Sequence, residues 1–299
     1  VADASLPLEA AMRDVAGEID RQFDRLLAVP EDPREKLYRA MRHAAIGGGK
    51  RLRPLLVFAT ARLFGVDRSC AARVATAIEC IHVYSLVHDD LPSMDDDDMR
   101  RGKPTVHRAF DEATAILAGD GLQTFAFELL AAEATHPDPF VRVELVSALA
   151  HAAGAAGMVG GQMMDLAAEA ASFDLPTVTR LQALKTGALI GCAVECGAIL
   201  GRVGPEGRKG LRGYARDLGL AFQIADDILD AEGDEATAGK KLRKDEARGK
   251  ETFLTLLGLE RAREQAGLLV DQAIAHLHAY GSEADLLRDI ARFTLERDR

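Results

Sequence analysis

Three observations predict an all-α chain of roughly ten helices around a central cavity, forming one domain over residues 1–299. Apolar residues recur at intervals of three and four wherever the pattern is strong, and strand-like alternation is nearly absent. The core must also be built from Ala, Leu, Val and Ile, because 48% of the residues are hydrophobic but only 5% are aromatic, with no Trp. Slim aliphatic side chains suit helix packing better than a sandwich of sheets.

The elements follow in order. Leu8, Met12, Val15, Ile19, Phe23 and Leu26 mark one face of a first helix. Pro30, Pro33 and Pro54 punctuate the next elements, and Pro92, Pro104, Pro137 and Pro139 do the same further on. Asp174 just before Pro176 reads as a helix start, with the proline in the first turn where its missing N–H costs nothing. Leu181, Leu184, Ala188, Cys192, Cys196 and Ile199 then form a second stripe, which GRVGPEG (201–207) ends. No proline follows Pro205, so the remainder reads as helices separated by a glycine-containing loop. No repeat, low-complexity tract or linker divides the chain.

The formal charge of −10 argues against a nucleic-acid partner or an anionic membrane surface, so an anionic ligand would need a local site. Cys70, Cys80, Cys192 and Cys196 show neither zinc-like pairing with histidines nor a short secreted framework, which points to a reducing compartment. Cys192 and Cys196, four apart on an apolar stripe, read as core thiols. No unbroken apolar run reaches the ~18 residues a membrane span needs, and the first residues show no basic flank before an apolar core. The expectation is a cytoplasmic protein without an integral membrane segment.

Chemistry concentrates in LVHDDLPSMDDDDMRRGKPTVH (86–107), which packs six aspartates into residues 89–98 and follows them with Arg100, Arg101 and Lys103. Carboxylates this close repel one another unless water, cations or metal ions screen them. Asp89 and Asp90 end an apolar helix. Pro92 breaks regular spacing, so Asp95 returns to them only if the chain bulges. Asp96, Asp97 and Asp98 read as a solvated acidic loop. In FQIADDILD (222–230), Asp226 and Asp230 stack one helical turn apart with Asp227 beside them. Such hard oxygen ligands suit Mg²⁺, which takes one or two carboxylates and leaves its other positions to water and phosphate.

Basic groups accompany both clusters. GGGKRLRP (47–54) offers flexible backbone followed by Lys50, Arg51 and Arg53, and KTGAL (185–189) and GKKLRKDEARGK (239–250) add Lys185, Lys240 and Lys250. Each alone is an ordinary solvated charge. Together they could hold two diphosphates, one bridged to carboxylates through Mg²⁺ and one gripped by Lys, Arg and His. A metal-bridged diphosphate leaves easily, and a helix-lined, water-poor cavity would protect the allylic cation it leaves behind.

In this order GGGKRLRP, DDLPSMD with RRGKPT, GGQMMDL (160–166), KTGAL and FQIADDILD resemble the landmarks of the trans-isoprenyl diphosphate synthases, closest to the bacterial members that make the C15 product. The resemblance implies the family's all-helical fold, Mg²⁺ dependence and homodimer, and substrates that are isopentenyl diphosphate and an allylic diphosphate. It also implies residue roles. Asp89, Asp90, Asp95, Asp226, Asp227 and Asp230 would bind metal, and Arg100 the allylic diphosphate. Lys50, Arg53, His82 and Arg101 would bind isopentenyl diphosphate. Lys185, Thr186, Gln223, Lys240 and Lys250 would surround the allylic substrate, with Lys185 and Thr186 stabilising the cation. Two positions depart from the family pattern: Arg243 stands where a glycine is usual, and Leu254 where a proline is usual.

Tyr84 and Ser85 precede Asp89 by five and four residues, ~6 to 8 Å along a helix. They lie where a growing tail would run, and the resemblance makes an aromatic there the limit on chain length. The alternatives at this stage are a geranyl or geranylgeranyl diphosphate synthase, a terpene cyclase, and a non-catalytic helical partner subunit.

Overall fold

This structure, a computed structural model, describes residues 8–232 and 250–296. The first helices are α1 (Leu8–Leu26), α2 (Glu35–Ala45), α3 (Leu52–Leu63) and α4 (Arg68–Asp89). The expected stripe of α1 turns inward, with Val15, Ile19 and Phe23 buried. By contrast α3 is buried on every side from Pro54 to Ala61, and α4 is apolar nearly all round, as helices at the centre of a bundle must be. Each fully buried Leu or Ile contributes about 1.5–3 kcal/mol of transfer free energy, before the entropy of ordering it is set against that.

A two-residue hairpin, β1 (Met99–Arg100) with β2 (Lys103–Pro104), follows the acidic run. Then come α5 (Val106–Ala109), α6 (Glu112–Ala131), α7 (Pro139–Ala153), α8 (Met158–Ala167) and α9 (Leu175–Gln182). A π turn, Ala183–Gly187, joins α9 to α10 (Ala188–Leu200). The remainder is α11 (Lys209–Glu232), α12 (Phe253–Leu257), α13 (Leu259–Ala275), a 3₁₀ turn at Ser282–Ala284 and α14 (Asp285–Glu296). In packing, α6 runs along α4, α10 lies against α3, α7 and α11, and α11 against α13.

Four helices begin on an aspartate whose side chain accepts a backbone N–H of the first turn: Asp67 from Ser69, Asp111 from Thr114, Asp138 from Phe140, and Asp174 from Thr177. Such caps contribute about 1 kcal/mol each. Fourteen α-helical segments thus appear among the described residues, against roughly ten expected. The excess comes from the single turns α5 and α12 and from the π turn that splits one rod into α9 and α10. That turn also shifts the stripe read from the sequence. Leu181, Cys192, Cys196 and Ile199 are buried as expected, but Leu189 takes the inward position expected of Ala188.

One expectation is corrected. By length and mean hydropathy, Arg68–Asp89, Pro139–Ala167 and Leu175–Leu200 are apolar enough to cross a membrane. The expectation counted unbroken apolar runs, whereas these stretches reach a high average with Gly, Ser, Thr and His interspersed. Of the apolar window in Arg68–Asp89, 72% is buried within the protein itself.

Candidate functional site

Asp89 is the last residue of α4 and Asp90 its C-cap. Beyond them the chain doubles back: Asp95 N donates to Asp89 O at 2.8 Å, Asp97 N to Asp90 O at 3.2 Å, and Asp96 N to Leu91 O at 3.1 Å. This return accommodates Pro92 and brings Asp95 beside the helix end. Burial pushes the carboxyl of Asp89 up to about 6, with Lys185 opposing and Asp95 reinforcing the rise. Asp90 also rises to about 6 through burial, although Arg100 Nε donates to its Oδ1 at 2.6 Å. Asp96 and Asp98 are exposed and face Arg108, as residues of a solvated loop would, but Asp97, expected with them, departs from that reading. Asp97 is half-buried, 3.7 Å from Arg100.

The hairpin sorts the two arginines. Its central residues, Arg101 and Gly102, have φ of 52° and 74°, the pattern of the tight hairpin turn whose twist matches its strands. Arg100 therefore reaches Asp90, while Arg101 turns toward Gly48 O (3.2 Å) and His82 Nε2 (3.4 Å). Gly49, at φ 82°, makes room for it: a Cβ there would stand 2.6 Å from the Arg101 guanidinium carbon.

Lys50, Arg53, His82 and Arg101, the four residues assigned to one diphosphate, line a single cavity of about 240 Å³, with Met12, Phe222 and Phe293 among its walls. Arg53 Nε is buried with no hydrogen-bond partner. Burial pushes its pKa down, partly offset by Glu79. Arg101 is an exposed residue, yet the part of it that lines the cavity loses enough water for its pKa to fall as well. His82 falls well below its ordinary value through burial and then through Arg53 and Arg101, which keeps the imidazole neutral. Arg51, the middle cation of GGGKRLRP, has a structural task. It is buried, donating to Glu79 (2.7 Å), Asp20 (2.8 Å) and Ala45 O.

Opposite the end of α4, α8 packs against the π turn. A Cβ on Gly161 would come within 2.3 Å of Lys185 N, so only glycine permits this approach. The contact delivers two residues that the sequence reading passed over. Gln162 Nε2 donates to Asp89 Oδ1, and Asp165 Oδ2 accepts from Lys185 Nζ at 3.0 Å and Lys250 Nζ at 2.9 Å. Burial pushes Asp165 up, but the two lysines outweigh it and its pKa ends below the ordinary value. The glycine pair of GGQMMDL was the signal that could have flagged this face.

On α11 a hydrogen-bonded chain crosses three elements. Thr186 Oγ1 donates to Gln223 Oε1 (3.1 Å), Gln223 Nε2 to Asp227 Oδ1 (3.0 Å), and Phe253 N to Asp227 Oδ2 (2.9 Å). Asp227 is buried and anchors the start of α12, where Leu254 is accommodated without the proline expected there. Asp226 lies close enough to Arg53 to raise its pKa, and Asp230 follows one turn later on the same helix. Lys240 and Arg243 lie outside the described residues.

Tyr84 is 5% exposed, its ring edge-on to His88 at 5.7 Å. Burial raises its phenol pKa, Gln123 of α6 opposing, and no group satisfies hydrogen-bond geometry with the buried hydroxyl. Ser85 is turned back on its own helix, donating to His82 O at 2.8 Å.

Among the described residues no three His, Cys, Asp or Glu side chains converge into a metal-holding group. The donors nonetheless fit Mg²⁺. They are hard carboxylate oxygens, and burial lifts the Asp89 carboxyl with Lys185 only partly opposing it, so a cation beside it would be favourable. Mg²⁺ needs only one or two carboxylates when phosphate and water complete its shell.

An all-helical body with aspartates at the end of α4 and on α11, a π turn packed against α8 and α11, and a cationic cavity is the architecture of the isoprenoid synthases. Within that class the chain belongs to the polyprenyl synthetase family, whose model matches residues 34–287. It is 47% identical to the farnesyl diphosphate synthase of Escherichia coli (strain K12) over 266 residues, covering 87% of this chain and 88% of that protein. It is 41% identical to that of Geobacillus stearothermophilus, covering 99% of each. Among solved structures, an FPP/GFPP synthase from Zymomonas mobilis superposes with a TM-score of 0.89 at 62% identity, covering 96% of this chain and 98% of that one.

Proposed function

We propose that this chain condenses isopentenyl diphosphate head-to-tail with dimethylallyl or geranyl diphosphate, ending at farnesyl diphosphate. One observation carries the reading: α4, which ends in a carboxylate cluster, also lends His82 to a cation-lined cavity in which Arg53 Nε of α3 is buried and unpartnered. A terpene cyclase needs only the second of these. A subunit without activity needs neither.

The allylic diphosphate would be gripped by Arg100, Lys185, Lys240 and Lys250. Mg²⁺, held by Asp89, Asp90 and Asp95 with Asp226, Asp227 and Asp230, would supply neutralisation of the charge that develops on the leaving oxygens. The allylic C–O bond breaks, its electron pair leaving with the diphosphate. The isopentenyl double bond, presented by Lys50, Arg53, His82 and Arg101, attacks the allylic carbon. Loss of a proton to the departed diphosphate restores a double bond, and the main-chain dipole at Lys185 and the hydroxyl dipole of Thr186, the latter held by Gln223, steady the cation between these events.

Tyr84 under the end of α4 supports C15 as the stopping point. A longer product is the second reading, favoured by the Zymomonas relative described as making both FPP and GFPP. We also infer a homodimer, supported by large apolar side chains left exposed on two neighbouring helices, Ile116 and Leu117 on α6 and Phe140 (82% exposed) and Val143 on α7. A reducing cytoplasm is consistent with four unpaired cysteines. The test is incubation with isopentenyl and geranyl diphosphates and Mg²⁺, followed by chromatography. A C15 diphosphate formed with consumption of both substrates is expected, and a cyclic hydrocarbon formed from the allylic substrate alone would overturn the reading.

A further inference from the structure

Lys185 and Lys250 come from segments far apart in sequence, yet both ammonium groups donate to the same oxygen of Asp165. Two cations tolerate such proximity only with an anion between them. Lys250 is buried and has a second carboxylate, Glu169, at 3.4 Å. Carboxylates thus flank the lysine pair, Asp165 between the two ammonium groups, Glu169 at Lys250, and Asp89 close enough to Lys185 to feel its charge. In the cationic cavity, by contrast, Glu79 is the one carboxylate among the described lining residues, and Arg51 takes it.

Resting on the proposed function, we propose that Asp165 is a positioning residue and resident counter-anion. It holds Lys185 and Lys250 together in the empty site and yields them to the incoming allylic diphosphate. Its side chain is 20% exposed, so its charge is only partly screened and competes with any anion that approaches the two lysines. Gly161 fixes the backbone approach that puts it there. Gln162, one turn earlier on α8, bonds Asp89, so the same helix face organises a lysine pair and a carboxylate of the cluster.

Removing the carboxylate charge makes a signed prediction that a merely structural role does not. In Asp165→Asn, inorganic pyrophosphate in EDTA should bind the full chain roughly tenfold tighter than in wild type, the scale of one partly screened unit charge. Asp165→Glu should stay near wild type. The measurement is calorimetric titration with isopentenyl diphosphate present, so that the cavity is filled. Equal or weaker pyrophosphate binding in Asp165→Asn overturns the proposal. If that variant does not fold, Glu169→Gln takes its place: tightening by roughly twofold, for a more exposed charge, supports the proposal, and no tightening overturns it. Isopentenyl diphosphate is first titrated alone into wild type. Failure there counts against the proposed function, and the pyrophosphate comparison without it still judges Asp165.

Discussion

The cationic cavity and the aspartate-lined end of α4 meet through one helix, which lends His82 to the first, two turns before Asp89 opens the second, and they handle charge in opposite ways. In the cavity, Lys50, Arg53 and Arg101 crowd around a neutral His82, Arg53 Nε has no partner, and the nearby Glu79 is bound to Arg51. At the helix end nearly every described carboxylate meets a donor: Asp90 meets Arg100, Asp89 meets Gln162, Asp165 meets two lysines, and Asp227 meets Gln223 and Phe253 N. Burying charge without compensation costs several kcal/mol per ion. In the cavity the uncompensated group is the buried Arg53 Nε, which an anion can satisfy directly. At the aspartate end burial lifts Asp89 and Asp90 despite their donors, and an anion enters by exchanging partners and bringing a cation.

The contrast breaks most visibly at Asp89. Asp89→Ala should lower kcat by about 10²–10³-fold or more, the scale of losing one transition-state charge contact, while thermal unfolding barely moves. Comparable kcat values would mean that the helix end is not where the leaving group is stabilised. Next in size, Arg53→Ala should raise KM for isopentenyl diphosphate by roughly 10- to 100-fold, as loss of hydrogen bonds to a charged group worth about 1.5–3 kcal/mol would, with little change for the allylic substrate. Arg100→Ala should show the reverse bias. Equal effects on both constants would merge the two sites into one.

Tyr84→Ala should leave ionisation intact and shift product toward C20, at a stability cost of about 3 kcal/mol from the cavity left beside His88. Product that still stops at C15 in excess isopentenyl diphosphate would move the limit to another side chain. The smallest effect belongs to Asp98→Ala. Asp98 is 69% exposed and paired with an exposed Arg108, so turnover should change less than about twofold and stability by under about 1 kcal/mol. A loss matching that of Asp89→Ala would extend the functional cluster into the loop.

Much of this was legible in the sequence. The stripe of α1, the Asp174 cap and the grouping of Lys50, Arg53, His82 and Arg101 rest on local patterns or ordered motifs, and the structure reproduces them. What stayed hidden has physical reasons. A π turn adds one residue to a helical pattern without changing its composition, so the displacement of Ala188 by Leu189 could not be read from spacing. Arg51 and Arg53 carry the same charge two residues apart, and only the left-handed φ of 50° at Arg51 sends the first into the core toward Glu79. Asp165 lies in an apolar stretch, and its lysines are 20 and 85 residues away. The hairpin at 99–104 is too short for strand periodicity to register.

In the proposed function the two diphosphates are held differently, one by side-chain cations alone and one by carboxylates through Mg²⁺. Calorimetric titration of wild type with isopentenyl diphosphate, and separately with a non-ionising allylic thiodiphosphate, each with Mg²⁺ and with EDTA, tests it most directly. The account predicts that isopentenyl diphosphate binds equally well in both conditions while the allylic analogue loses most of its affinity in EDTA. Equal Mg²⁺ dependence for the two ligands, or none for either, would contradict it.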